Sequence, residues 1–173
     1  MKTINCILFL VFFQLIVSCN QDAKKVEEVK PLSDEELIGI NKSNVIEEQE
    51  QIADYIQRHR YQMQTSETGL HSLSIAEGKG QTPIFRSSVT MNYTVNFLNG
   101  DYCYSSDSSG VLQFIMGQSD EPSGLQEGLS KMKAGGQALF IIPSYLAYGL
   151  TGDGNKIGPN KTLVYQVELL KVE

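Results

Sequence analysis

The chain has 173 residues, enough for one domain with extensions or for two small domains. Its 14 basic and 20 acidic residues leave a net charge of -6, which excludes a simple electrostatic nucleic-acid binder, because such a protein needs a basic surface to displace counterions. The 3 cysteines and 2 histidines are scattered, so a structural zinc site with closely paired ligands is excluded too, and neither a metal nor a cofactor is expected.

The N-terminus carries one lysine, Lys2, followed by an apolar run from Ile7 to Val17 interrupted only by Gln14. This run is shorter than the roughly 20 residues a membrane-spanning helix needs and has the form of a secretory signal peptide over residues 1–18. It ends in Ile16-Val17-Ser18-Cys19. That ending resembles a bacterial lipobox, in which the cysteine is lipidated and becomes the mature N-terminus. Several acyl chains on Cys19 would anchor the protein to a membrane without spanning it. Cys6 would leave with the leader, and Cys103 would remain without a disulfide partner. Asn20 after the cysteine, rather than an aspartate, resembles an outer-membrane address. The implied location is the bacterial cell envelope, lipid-anchored at the outer membrane and facing the periplasm.

Residues 19–43 read as a lipidated tether, charged, of mixed sign and poor in core residues. A helical segment is expected over 44–64, with Asn44 as N-cap and Glu47 completing a capping box. Val45, Ile52 and Ile56 give it a narrow apolar stripe. Three readings stay open: packing on its own domain, a dimerising or partner-binding helix, and a solvated stalk.

From Thr68 the pattern becomes alternating. Leu70 to Ile75 reads as a strand before Gly78-Lys79-Gly80. Val89 to Phe97 alternates and stops at the hairpin signal Asn99-Gly100. Tyr102 to Tyr104 resumes a strand, Ser105 to Gly110 breaks it, and Val111 to Met116 is the next. Gly124 to Met132 reads as a short helix, and Gln137 to Ile142 and Thr162 to Val172 as the last strands. Antiparallel strands with one short helix imply an α+β fold.

The ordered segments Gly124-Leu125-Gln126-Glu127-Gly128-Leu129, Met132-Lys133-Ala134-Gly135-Gly136, Ile142-Pro143, Leu146-Ala147-Tyr148-Gly149, Ile157-Gly158-Pro159-Asn160 and Thr162 to Leu170 resemble the FK506-binding-protein (FKBP) type of prolyl isomerase. The resemblance covers residues 65–173. It implies a half-open, twisted antiparallel sheet wrapped around one short helix, here preceded by the N-terminal helix. With the lipobox, the chain also looks like the gliding-motility-associated FKBP lipoproteins of Bacteroidetes-like bacteria.

Prolyl isomerisation makes and breaks no covalent bond; the obstacle is rotation about a conjugated amide, about 18–20 kcal/mol. A thousandfold acceleration asks for about 4 kcal/mol. A dry concave pocket that favours the less dipolar twisted amide suffices. The resemblance carries Tyr93, Phe114 and Tyr148 over as catalytic pocket residues, the Tyr148 hydroxyl as donor to a ligand carbonyl. It carries Leu112, Leu125, Ile157, Tyr165, Cys103 and Tyr104 over as substrate-binding positions. By residue type alone, Tyr93, Phe114 and Tyr165 are equally ordinary half-buried strand aromatics, and Cys103 a small buried hydrophobe. The chain departs from the family where Leu125 replaces a floor tryptophan, Cys103 a wall phenylalanine and Tyr104 an aspartate. Pro122 removes a backbone N–H that the family uses to hold a ligand carbonyl. Weak activity and poor affinity for macrolide inhibitors are therefore expected. The implied partners are proline-containing polypeptides of exported proteins and the membrane, through Cys19. The alternative reading is a catalytically weak chaperone or docking module in an envelope assembly. His59 and His71 read as surface residues, and Gly152-Asp153-Gly154 as no dinucleotide fingerprint.

Overall fold

A computed structural model describes residues 33–173; the leader, Cys19 and the first part of the tether lie outside the described residues. Helix α1 spans Asp34–His59. The expected start at Asn44 is corrected, and residues 34–43, read as tether, are helical. The capping box that operates is Ser33 with Glu36: the Glu36 amide donates to Ser33 Oγ at 3.3 Å, and the Ser33 amide to Glu36 Oε2 at 2.8 Å. With Asp34, Glu35 and Glu36 in the first turn and Arg58 and His59 in the last, the charges oppose the helix dipole at both ends. The expected end at 64 is also too late. Arg60 takes a left-handed φ of 56° and stops the helix.

The strands follow as β1 (Gln64–Thr65), β2 (His71–Ala76), β3 (Ser88–Phe97) and β4 (Tyr102–Ser105). A short helix α2 (Ser106–Ser109) occupies the break after β4. Then come β5 (Leu112–Ile115), helix α3 (Ser123–Leu129), β6 (Gln137–Ile142), a 3-10 turn (Ser144–Leu146) and β7 (Leu163–Val172). They form a seven-stranded sheet in the order β1-β2-β6-β7-β3-β4, with β5 also on β3. All its ladders are antiparallel. Along one edge of β3, β5 pairs with Ser88 to Met91 and β4 with Thr94 to Asn96. The ladder is interrupted at Tyr93, whose amide donates instead to Ser106 Oγ of α2 at 3.3 Å.

Two apolar clusters lie against the sheet. The larger joins Leu70, Met91, Val95, Phe140, Tyr165 and Leu169 to Leu125 and Leu129 of α3. Helix α3 comes close because its facing positions are glycines: a Cβ on Gly124 would lie 2.6 Å from Ile142 Cγ2, and one on Gly128 2.6 Å from the Phe140 ring. The smaller cluster joins Leu139, Ile141 and Val164 to Ile52 and Tyr55 of α1. Side chains alternate across a strand, so Ile141 and Val164 point away from the face that receives Phe140 and Tyr165. The C-terminal half of α1 thus packs on its own domain, the first of the three readings. In its N-terminal half Ile38, Ile40, Val45 and Ile46 are exposed.

Of the two histidines, His59 is exposed and stacks on Tyr61, with ring centroids 5.2 Å apart. His71 is not a surface residue as expected. It is half-buried between β1 and β6, and burial pushes its pKa down.

Candidate active site

The residues singled out from the sequence gather in the larger cluster. Cys103, Phe114, Leu125, Ile157 and Tyr165 are buried within it; Tyr93, Tyr104, Leu112 and Tyr148 pack against it half-buried. Five of these side chains are thus buried and four, three of them tyrosines, keep part of their surface exposed. The side chains come from several elements of the fold. Tyr93 stands at the interruption of the β3 edge. Leu112 and Phe114 share one face of β5, opposite Met91 and Val89. Leu125 projects from α3 with no exposed surface. Tyr165 lies on β7 between Val95 and Phe140. Tyr148 follows the 3-10 turn, and Ile157 lies within the long loop before β7.

Desolvation governs the ionisable groups here. Burial, then the negative charge of Glu121, pushes the Tyr148 hydroxyl up to about 12, while a hydrogen-bonding contact with the Tyr165 hydroxyl works the other way. Burial also raises Tyr165 well above the ordinary value, with Tyr148 and Glu121 adding to it. Both phenols therefore stay protonated and able to donate at neutral pH. Burial also raises the Cys103 thiol, with the Asp153 charge adding to it, so it is a poor nucleophile. Among the described residues no cluster of acidic, histidine or cysteine side chains could hold a metal ion.

Two further residues, Asp153 and Lys156, bond to these side chains and their backbone. Asp153 Oδ2 accepts from the Tyr104 hydroxyl at 2.6 Å, and Oδ1 accepts from the Ile157 amide at 2.8 Å. Lys156 donates its amide to the Tyr104 hydroxyl at 3.2 Å and its Nζ to the Cys103 carbonyl at 2.9 Å. Its Nζ also lies 4.9 Å from the centre of the Tyr104 ring. The departures at 103 and 104 thus belong to one polar seam between β4 and the loop of Ile157. Asp153 sits in a glycine-rich loop, and nothing local in Gly152-Asp153-Gly154 says that it faces β4.

Residues 80–170 match the family model described as FKBP-type peptidyl-prolyl cis-trans isomerase. The chain belongs to this enzyme family. It is 38% identical over 111 residues to a probable FKBP-type isomerase FkpA of Neisseria meningitidis, covering 64% of this chain and 40% of that protein. It is 37% identical over 103 residues to FK506-binding protein 1 of Dictyostelium discoideum, covering 59% of this chain and 96% of that one. The crystal structure of FkpA from Escherichia coli superposes with a TM-score of 0.66 at 30% identity, covering 83% of this chain and 75% of that chain. The chain therefore spans well under half the length of the Neisseria FkpA and nearly the whole of the smaller relative. Among the described residues no helix is long and apolar enough to cross a membrane.

Proposed function

We propose that the chain is a working peptidyl-prolyl cis-trans isomerase whose site is the floor of Cys103, Phe114, Leu125, Ile157 and Tyr165 and the rim of Tyr93, Tyr104, Leu112 and Tyr148. The observation that carries this is their convergence: residues from β3, β4, β5, α3, β7 and the long loop before β7 meet in one apolar cluster, against which Tyr93, Tyr104 and Tyr148 are only half-buried. The planar prolyl amide is more dipolar than the twisted one. A floor without charge disfavours the planar forms relative to the transition state, and no nucleophile is required. The protonated Tyr148 hydroxyl supplies one hydrogen bond to a substrate carbonyl and so orients the amide. Pro122 caps α3 without an N–H, so the substrate forgoes a donor there, typically worth about 0.5–1.5 kcal/mol. Together with Leu125 as an aliphatic floor, this supports low turnover and weak macrolide binding.

The substrates are proline-containing polypeptides of exported proteins. The sequence Ile16-Val17-Ser18-Cys19 supports a lipid anchor at Cys19 in the cell envelope. The anchor is tested by membrane fractionation of the chain with and without Cys19→Ser; release by the substitution is the expected result, and unchanged partition overturns it. The activity is tested by assaying residues 20–173 on a peptide with an apolar residue before proline. The expected result is catalysis above the spontaneous rate that falls in Phe114→Leu, a variant that keeps the core filled. A folded sample with no rate above background overturns the enzyme reading and leaves a docking module built on the same fold.

A further inference from the structure

Glu48 lies on α1, outside the residues matched by the family model, yet its carboxylate reaches the loop that carries Tyr148. Oε1 accepts from the Ser144 amide at 2.7 Å and from Thr162 Oγ1 at 2.5 Å, and Oε2 accepts from Ser144 Oγ at 3.1 Å. Ser144 opens the loop after β6, and Thr162 closes it one residue before β7. Both are buried, at 7% exposure each. Tyr148, Asp153 and Ile157 lie between them. The inner hydrogen bonds of the loop run back to the same point: the Gly149 amide donates to the Ser144 carbonyl at 2.8 Å, and the Asn160 amide to the Gly149 carbonyl at 2.8 Å.

We propose that Glu48 is a positioning residue for the isomerisation: it clips the two ends of the 144–162 loop together and so holds Tyr148 and Ile157 at the pocket. This rests on the pocket reading given above. A carboxylate suits the task because its two oxygens serve three donors from two chain segments. Ile52 and Tyr55, one and two turns further along the same face, are buried under the sheet and fix where Glu48 sits. Without it, buried donors of Ser144 and Thr162 lose their acceptor. The loop would then be ordered only on substrate binding, which weakens binding more than it slows the chemical step.

The test uses the whole chain with Glu48→Ala, Glu48→Gln, Thr162→Val and the Glu48→Ala/Thr162→Val pair. KM and kcat are measured separately, and amide hydrogen exchange at Gly149 and Asn160 is read in the absence of substrate. In Glu48→Ala we expect KM to rise about three- to tenfold with kcat little changed. Exchange at Gly149 and Asn160 should accelerate while the amides of β3 and β7 stay protected. Glu48→Gln should recover most of both effects, because the amide keeps one acceptor and offers the hydroxyls a donor. The double variant should be no worse than Glu48→Ala alone. A Glu48→Ala chain that melts at lower temperature but keeps KM and loop exchange overturns the proposal, since Glu48 would then only dock the helix. If Glu48→Ala does not fold, unaltered loop exchange in Thr162→Val and Ser144→Ala overturns it as well. Glu48-dependent loop protection in a chain with no isomerase rate overturns the catalytic role through failure of the pocket reading, a result separable from loss of the clip.

Discussion

The Tyr104 hydroxyl donates a 2.6 Å hydrogen bond to Asp153 Oδ2, tying β4 to the loop that presents Ile157. Burial works to raise the Asp153 carboxyl, but the bonds from Tyr104 and from the Asn155 and Ile157 amides outweigh it and hold the carboxyl below the usual carboxylate range. Tyr104→Phe removes one of these bonds and should cost about 1 kcal/mol of loop order. The readout is KM for a prolyl peptide, expected to rise by about fivefold. Asp153→Ala removes the acceptor for all three donors and should raise KM further, with little change in melting temperature because the loop lies outside the sheet ladders. An unchanged KM in Asp153→Ala would separate this loop from substrate binding.

The Tyr148 hydroxyl has a second consequence, in alkaline solution. Its pKa is raised by burial and by Glu121 to about 12, against 10.0 for an ordinary tyrosine. Its contribution to stability is therefore complete below the unfolded value and is lost as pH rises through the window from the unfolded to the folded pKa. Turnover should not fall at the ordinary tyrosine pKa, since the donor is still protonated there. Spectrophotometric titration of the tyrosines in the native chain and in Tyr148→Phe checks this. Removal of a phenol titrating at the ordinary value would refute it.

Gly128 packs so closely on Phe140 that Gly128→Ala forces the ring or α3 to move. Overpacking of this kind typically costs about 1–3 kcal/mol. A lower denaturant midpoint at unchanged slope is the expected result. Because α3 carries Leu125, isomerase activity should fall in parallel.

Ile52 is wholly buried beneath the sheet and anchors α1. Ile52→Ala should destabilise the chain by about 2–5 kcal/mol, the range for truncating a buried isoleucine. Equilibrium unfolding measures it. A change under 1 kcal/mol would mean that the helix is held by its other contacts.

Much of the fold could be read from local pattern. The alternation of Val89 to Phe97, the turn at Asn99-Gly100 and the apolar run of Gln137 to Ile142 predict β3, its turn and β6 close to where they occur. Strand periodicity and turn chemistry are properties of neighbouring residues, so sequence carries them directly. The start of α1 was misplaced because two capping boxes lie in the same stretch, Ser33 with Glu36 and Asn44 with Glu47. Residues between them favour neither end, and helix propagation from the earlier cap is uninterrupted. The two-residue strand β1 and the one-turn helix α2 escaped notice because elements so short have no periodicity; pairing with His71 and Ser72 is what makes Gln64 and Thr65 a strand.

The sequence by itself determined the residue types at the candidate site: tyrosines, a phenylalanine, a cysteine and aliphatic side chains at strand, helix and loop positions. Their meeting was decided only by the tertiary structure, since Tyr93 and Tyr165 approach each other through the β3–β7 ladder. The polar partners were invisible in the same way. Asp153 reaches Tyr104 and Glu48 reaches Thr162 across long stretches of chain. A carboxylate in a loop or on a helix face reads from sequence as solvated surface. Only chain folding, which brings buried donors within reach of it, gives it a partner and a task.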